Sequence, residues 1–142
     1  MLIGIPGVLP PKLLKVMCEM GHGDELVLAD AHFPAASHAQ RLVRCDGQGT
    51  VELLEAILQL LPLDDYVDQP VAVMSVVPGD PVVPTIWDSY ASVIKQKTEL
   101  TVSLEKIERF SFYERSAKAY AIATTGECAQ YGNLILKKGI VR

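Results

Sequence analysis

Four short runs that are apolar along nearly their whole length constrain this chain more than any other feature: ELVLAD at 25–30, VAVMSVV at 71–77, YAIAT at 120–124 and NLILK at 133–137. Runs of this length, rich in Val, Ile and Leu, read as strands, and a strand without a polar face has to be covered on both sides. Helix-length segments separate them. Strands alternating with helices imply an α/β domain with helices on both faces of a mainly parallel or mixed sheet, a three-layer α/β/α arrangement.

The segments between the runs fit that plan. Pro10 and Pro11 stand where prolines open a helix, Leu13, Leu14, Met17 and Cys18 recur at helical spacing, and Gly21 offers a stop. Thr50 is the expected N-cap of the amphipathic VELLEAILQLL, with Glu52 near the helix's positive end and Pro62 closing the pattern. Helix resumes near Thr85 and runs through Trp87, Tyr90, Ala91 and Ile94, and FSFYERSAKA at 110–119 forms another. RLVRCDG at 41–47 offers a brief strand, and 104–107 a further one. DAHFPAASHAQ at 30–40 has no sustained period and reads as a loop, and PGDPVVP at 78–84 is turn chemistry.

With 142 residues, 49% of them hydrophobic, the chain is sized for one domain spanning 1–142. Its net charge of −4 is spread through the sequence, so no basic stripe is available to neutralise phosphates and nucleic acid is not an expected partner. Charged residues interrupt every apolar run before it reaches the ~20 residues of a membrane span, so no membrane partner is expected either. The opening MLIGIPGVLPPKLL is broken by Pro6, Pro10 and Pro11 and lacks the basic start of a secretory signal. Cys18, Cys45 and Cys128 are odd in number and never form a Cys-x-x-Cys pair. They read as packing residues in a reducing cytoplasm rather than as a disulfide framework or zinc site.

There is no Gly-x-Ser-x-Gly elbow, Walker loop or dinucleotide fingerprint, which removes support from redox and phosphoryl-transfer readings. What remains is polar clusters far apart in the chain. His22 falls just past a helix end and Asp30 at the carboxyl edge of a strand, where open α/β sheets bind ligands. Taken singly, His22 reads as a partner for the last helix carbonyls, Asp30 and Tyr131-Gly132-Asn133 as turns, and Arg109 as a solvated charge.

Three segments in order change that balance. MGHGDELVLADAHFPA, RFSFYERSAKA and TGECAQYGNLILKKG resemble the corresponding segments of the fucose mutarotases, the fucose branch of a family that also contains the ribose pyranases. The similarity runs from about Pro10 to Gly139. It implies a small α/β subunit that assembles into a ring-shaped homo-oligomer, with sites at subunit boundaries and no metal or organic cofactor. By the resemblance His22 is the acid/base histidine, Asp30 and Arg109 bind the sugar, and Tyr131, Gly132 and Asn133 form a C-terminal binding segment. His32 is a pocket neighbour, and His38 reads as a surface loop residue. Tyr120 stands where the resemblance leads one to expect phenylalanine, so its hydroxyl reaches either solvent or a buried partner.

These residue types suit the implied chemistry. A pyranose hemiacetal opens when its ring oxygen gains a proton and its anomeric hydroxyl loses one, and reclosure on the other face gives the other anomer. Histidine exchanges protons near neutrality, and Tyr131 can donate or relay one. Asp30 accepts from hydroxyls, Arg109 offers a planar fork, Asn133 pairs with donors and acceptors alike, and Gly132 permits a tight backbone. Three readings stay open beside the fucose one. A ribose pyranase would use the same ring opening; a metal enzyme would draw on His22, Asp24, Asp30, His32 and His38; a non-catalytic sugar-binding protein would need only Asp30 and Arg109.

Overall fold

A computed structural model describes all of residues 1–142. In chain order it runs α1 (Pro11–Glu19), β1 (Glu25–Ala29), α2 (Ala35–His38), β2 (Leu42–Cys45), α3 (Thr50–Leu58) and β3 (Val71–Met74). It continues α4 (Ile86–Thr98), β4 (Glu105–Ile107), α5 (Arg109–Lys118), β5 (Ala121–Thr125) and β6 (Leu134–Lys137). The strands form one mixed sheet in the order β2-β5-β1-β6-β3-β4. Five run in the same direction, and β6 lies antiparallel between β1 and β3.

Alternation along the central strands splits the core in two. Leu26, Leu28, Val71, Val73, Leu134 and Leu136 face α1, α3 and α4 in a cluster of 25 buried residues. Val27, Ala29, Ala72, Met74, Ile122 and Ile135 face α2 and α5 in a cluster of only 10. The three-layer expectation therefore holds, with one thick and one thin helical layer. No helix is long and apolar enough to cross a membrane.

Several local expectations need correction. The 30–40 loop contains α2, a single turn whose four residues are too few to establish a period. Thr50 is not a side-chain cap but the first helical residue, fully buried, and its hydroxyl meets Tyr90 Oη at 2.6 Å and Glu127 Oε2 at 3.0 Å. The carboxylate serving that helix start is thus Glu127, 77 residues away, which also accepts from the Thr50 N–H at 3.4 Å. The helix ends at Leu58 rather than at Pro62. β3 stops at Met74, short of Val77. Of the three cysteines only Cys45 is buried, its thiol pushed up to about 11 by desolvation, whereas Cys18 and Cys128 are exposed. The left-handed glycine after α1 is Gly23, at φ 86°, not Gly21.

Candidate active site

The parallel strands end, and β6 begins, at one edge of the sheet, and there a cavity of about 430 Å³ opens beside the thin layer. Asp30 follows β1, Met74 closes β3, Arg109 stands two residues after β4, and Asn133 precedes β6. The cavity brings together five of the residues expected from sequence: Asp30, His32, Arg109, Tyr131 and Asn133. It also contains Phe33, Met74, Val77, Asp80, Tyr113 and Gln130, which sequence reasoning missed. A larger hollow of about 520 Å³ beneath the N-terminal segment offers less chemistry, since its Arg44 and Asp46 are already paired with each other at 2.7 Å.

Asp30 and Asn133 lock reciprocally. The Asp30 N–H donates to Asn133 Oδ1 at 2.7 Å, and Asn133 Nδ2 donates to Asp30 Oδ2 at 2.9 Å. Both side chains are nearly buried, and the His32 N–H donates to Asp30 Oδ1 at 3.0 Å. Burial pushes the Asp30 carboxyl above its ordinary range, against the opposing pull of those bonds and of His32. Each oxygen keeps lone-pair capacity for a ligand hydroxyl.

Tyr131 is the residue forced into a left-handed backbone here, at φ 59°, rather than the glycine that follows it. Its carbonyl accepts from Trp87 Nε1 at 2.9 Å, which ties it to α4. Its hydroxyl donates to Asp80 Oδ2 at 2.6 Å and accepts from the Val77 N–H at 3.2 Å. The Asp80 carboxylate raises the phenol's pKa, with Val77 and Arg109 acting the other way. Gly132 does not line the cavity: a Cβ there would come within 2.9 Å of the Ala129 carbonyl oxygen, and its own carbonyl accepts from the buried Tyr90 hydroxyl. Its role is close packing beneath the site.

Arg109 is the first residue of α5, where a cation opposes the helix macrodipole. Glu108 offsets this by accepting from the Phe110 and Ser111 N–H groups, both at 3.0 Å. The guanidinium Nε donates to Tyr113 Oη at 3.3 Å, which helps hold Arg109 charged beside the cavity. Further along the same helix the motif turns structural. Phe112 is fully buried, and Arg115 binds Glu25 bidentately from Nε and Nη2 while Nη1 reaches Glu105, fastening α5 to β1 and β4.

His22 is absent from this cavity. It precedes β1, at the opposite edge of the sheet, and the five residues of β1 alone rise about 16 Å. There its Nε2 meets Asp64 Oδ1 at 3.0 Å, and the Tyr66 N–H donates to the same oxygen at 3.1 Å. Burial alone would raise the Asp64 carboxyl, but the bonds from His22 and Tyr66 and the charges of His22 and Lys137 outweigh it, and the pKa is lowered. An ionised Asp64 only accepts, so His22 presents Nε2–H to it and keeps Nδ1 open. The candidate metal ligands close in sequence are therefore divided: His22 and Asp24 lie at one edge, Asp30 and His32 at the other. His38 packs on Tyr113, with ring centroids 5.6 Å apart, outside the cavity. Tyr120 is also remote, its hydroxyl donating to exposed Glu19 at 3.3 Å.

Comparison with known proteins adds three findings. The model of the RbsD / FucU transport protein family matches residues 3–141. An L-fucose mutarotase of Actinobacillus pleuropneumoniae is 51% identical, covering 99% of this chain and 97% of its own, and a human fucose mutarotase is 50% identical, covering 97% and 93%. The crystal structure of a fucose mutarotase in complex with L-fucose from Streptococcus pneumoniae superimposes with a TM-score of 0.95 at 51% identity, covering 99% of this chain and 100% of that one.

Proposed function

The chain belongs to the RbsD / FucU transport protein family, and on that premise we propose that it is an L-fucose mutarotase. It is an isomerase that interconverts the α and β anomers of free fucose by acid/base opening and reclosure of the ring. The observation that carries this reading is the cavity at the carboxyl edge of the sheet, where Asp30, Arg109, Tyr131 and Asn133 converge in a chain half identical to fucose mutarotases. Its volume lies within the range of small-molecule sites. Phe33, Met74 and Val77 make part of the wall apolar, which suits the methyl group of a 6-deoxy sugar and gives ribose nothing to bury.

Asp30 and Asn133 accept and donate hydrogen bonds to ring hydroxyls, and Arg109 presents its fork from α5. His32 borders the sugar. One C–O bond breaks and re-forms and protons are exchanged, with no electrons or groups transferred, so no metal or organic cofactor is required. Tyr131 serves the anomeric hydroxyl, and a second acid/base group has to reach the ring oxygen.

His22 fits that task only if it comes from another copy. Its Nδ1 is open and its carboxylate partner fixed, yet it sits at the wrong edge of its own sheet. Both edges carry an exposed aromatic residue, Phe110 at 65% beside Arg109 and Tyr66 at 67% beside His22, as surfaces made to meet would. A contact that joins two different surfaces of one chain is head-to-tail and closes into a ring when its rotation permits. That supports a ring-shaped homo-oligomer with sites at the boundaries. The cytoplasm suits three cysteines that form no disulfide.

Saturation-transfer NMR on fucose tests the activity. Exchange between the two anomers should accelerate with enzyme concentration, and ribose ring forms should respond weakly. Faster ribose exchange than fucose exchange would overturn the substrate assignment.

A further inference from the structure

Asp80 lies in the same cavity and has no part in the scheme above. We propose that Asp80 is the proton sink of the site, positioning the Tyr131 hydroxyl and taking up its proton while Tyr131 removes one from the sugar's anomeric hydroxyl. This rests on the mutarotase reading and deepens it.

The hydrogen-bond directions lead there. Asp80 Oδ2 accepts from the Tyr131 hydroxyl at 2.6 Å, a length typical of a charge-assisted bond. The phenol proton is therefore committed to Asp80 and is not offered to the cavity. The Val77 N–H occupies one acceptor site of the phenol oxygen, and the remaining lone pair is what the cavity sees. Tyr131 thus meets a sugar hydroxyl as an acceptor, and a neutral phenol is a feeble base unless its own proton has somewhere to go. The carboxylate is held for that purpose: its other oxygen accepts from the Val82 N–H at 3.1 Å, which fixes its plane in the turn after β3. Tyr131 is fixed in turn by its strained backbone and its bond to Trp87.

The step balances. The anomeric O1–H bond breaks and its proton passes to Tyr131 Oη as the Tyr131 proton passes to Asp80 Oδ2. The O1–H electron pair becomes the carbonyl π bond, the C1–O5 pair leaves with O5, and O5 takes the Nδ1 proton of His22 of a neighbouring copy, which enters the step doubly protonated with Nε2–H on Asp64. The products are the open-chain aldehyde, a neutral phenol, a protonated Asp80 and a neutral imidazole, and reclosure reverses every transfer. Arg109, His32, Asp30 and Tyr113 are the other ionisable groups lining this cavity.

Asp80→Asn replaces two acceptor oxygens with one, keeping Oδ1 for the Val82 N–H and turning an N–H donor toward the Tyr131 oxygen, and so removes the base without changing the side chain's size. The test measures anomer exchange against pH and fucose concentration in wild type, Asp80→Asn, Tyr131→Phe and the double variant, with NMR titration of Tyr131 labelled at Cζ. Asp80→Asn should lower kcat about 10²-fold with KM within about twofold, and should flatten the acid limb of the rate profile. The double variant should be no slower than Tyr131→Phe, and Tyr131 should ionise at lower pH once the Asp80 charge is gone. Unimpaired exchange in Asp80→Asn, an undiminished loss in the Tyr131→Phe background, or an unmoved Tyr131 titration would each overturn the relay alone. A wild type that exchanges no fucose at any pH would overturn the activity and the relay with it.

Discussion

Asp30 and Asp64 sit at opposite edges of one sheet, both nearly buried, and their carboxyl groups are pushed in opposite directions. The direct bonds to Asp30 come from neutral donors, the amide of Asn133 and the backbone of His32, and burial prevails. Asp64 is bonded to an ionisable ring and lies near Lys137, and those outweigh burial. A small exposed area therefore does not fix the chemistry: Asp30 lies deeper among protein atoms than Asp64, and its partners are neutral. On the proposed function, the Asp30 edge holds the neutral sugar, whereas the Asp64 edge orients the His22 ring. On that reading each edge has what the other lacks, and the acid/base pair forms only between chains.

The sharpest way to break this comparison is to disable one edge per chain. His22→Ala and Tyr131→Phe should each slow anomer exchange by about 10²–10⁴-fold while leaving the fold intact by circular dichroism. Co-assembled in equal amounts, the two inactive chains should recover about a quarter of the wild-type rate, because one boundary in four pairs an intact cavity with an intact histidine. Sites built within single chains would recover nothing.

A smaller effect should be confined to the Asp30 edge. Arg109→Lys keeps the charge but loses the planar donor fork, so fucose titration should show about tenfold weaker binding, ~1.4 kcal/mol, at unchanged stability. Equal affinity at equal stability would remove Arg109 from the site.

The smallest effect contrasts the two carboxylates themselves. A raised native pKa means that Asp30 adds stability below its unfolded value of about 3.9 and loses that contribution as pH rises through the native value. A lowered native pKa means that Asp64 contributes above about 3.9 and loses the contribution as pH falls through its native value. Denaturant melts across pH should therefore show wild type gaining on Asp30→Asn, and losing its margin over Asp64→Asn, as the solution is acidified. Parallel curves would show that the two environments do not differ in solution.

Much of this was legible in the sequence, for identifiable reasons. ELVLA, VAVM and LILK are apolar on both faces, so strands and covering layers followed from composition alone. Asp30 was readable as a strand end and Tyr131 to Asn133 as a tight segment. The direction of β6 was not, because an apolar run carries no sign of which way it points. The separation of His22 from Asp30 was hidden by their closeness in sequence, since a strand converts eight residues into two different edges. Asp80 is hidden in a turn that proline and glycine explain without it, and Tyr113 in a motif that stands out for its arginine. Thr50 looked like a cap because Glu127, the group that serves the helix start, is remote in the chain.

The place of β6 has a consequence for how the chain acquires its shape. β2, β5 and β1 form one ribbon and β3 with β4 another, and β6 alone joins them. It is also the last strand in chain order. Without β6 paired, the sheet is two incomplete pieces with a vacant slot between their unpaired edges, and β6 fills that slot from the inside rather than extending a rim. Pairing across more than a hundred residues is slow, and the open edges meanwhile invite a neighbouring nascent chain to insert its own strand.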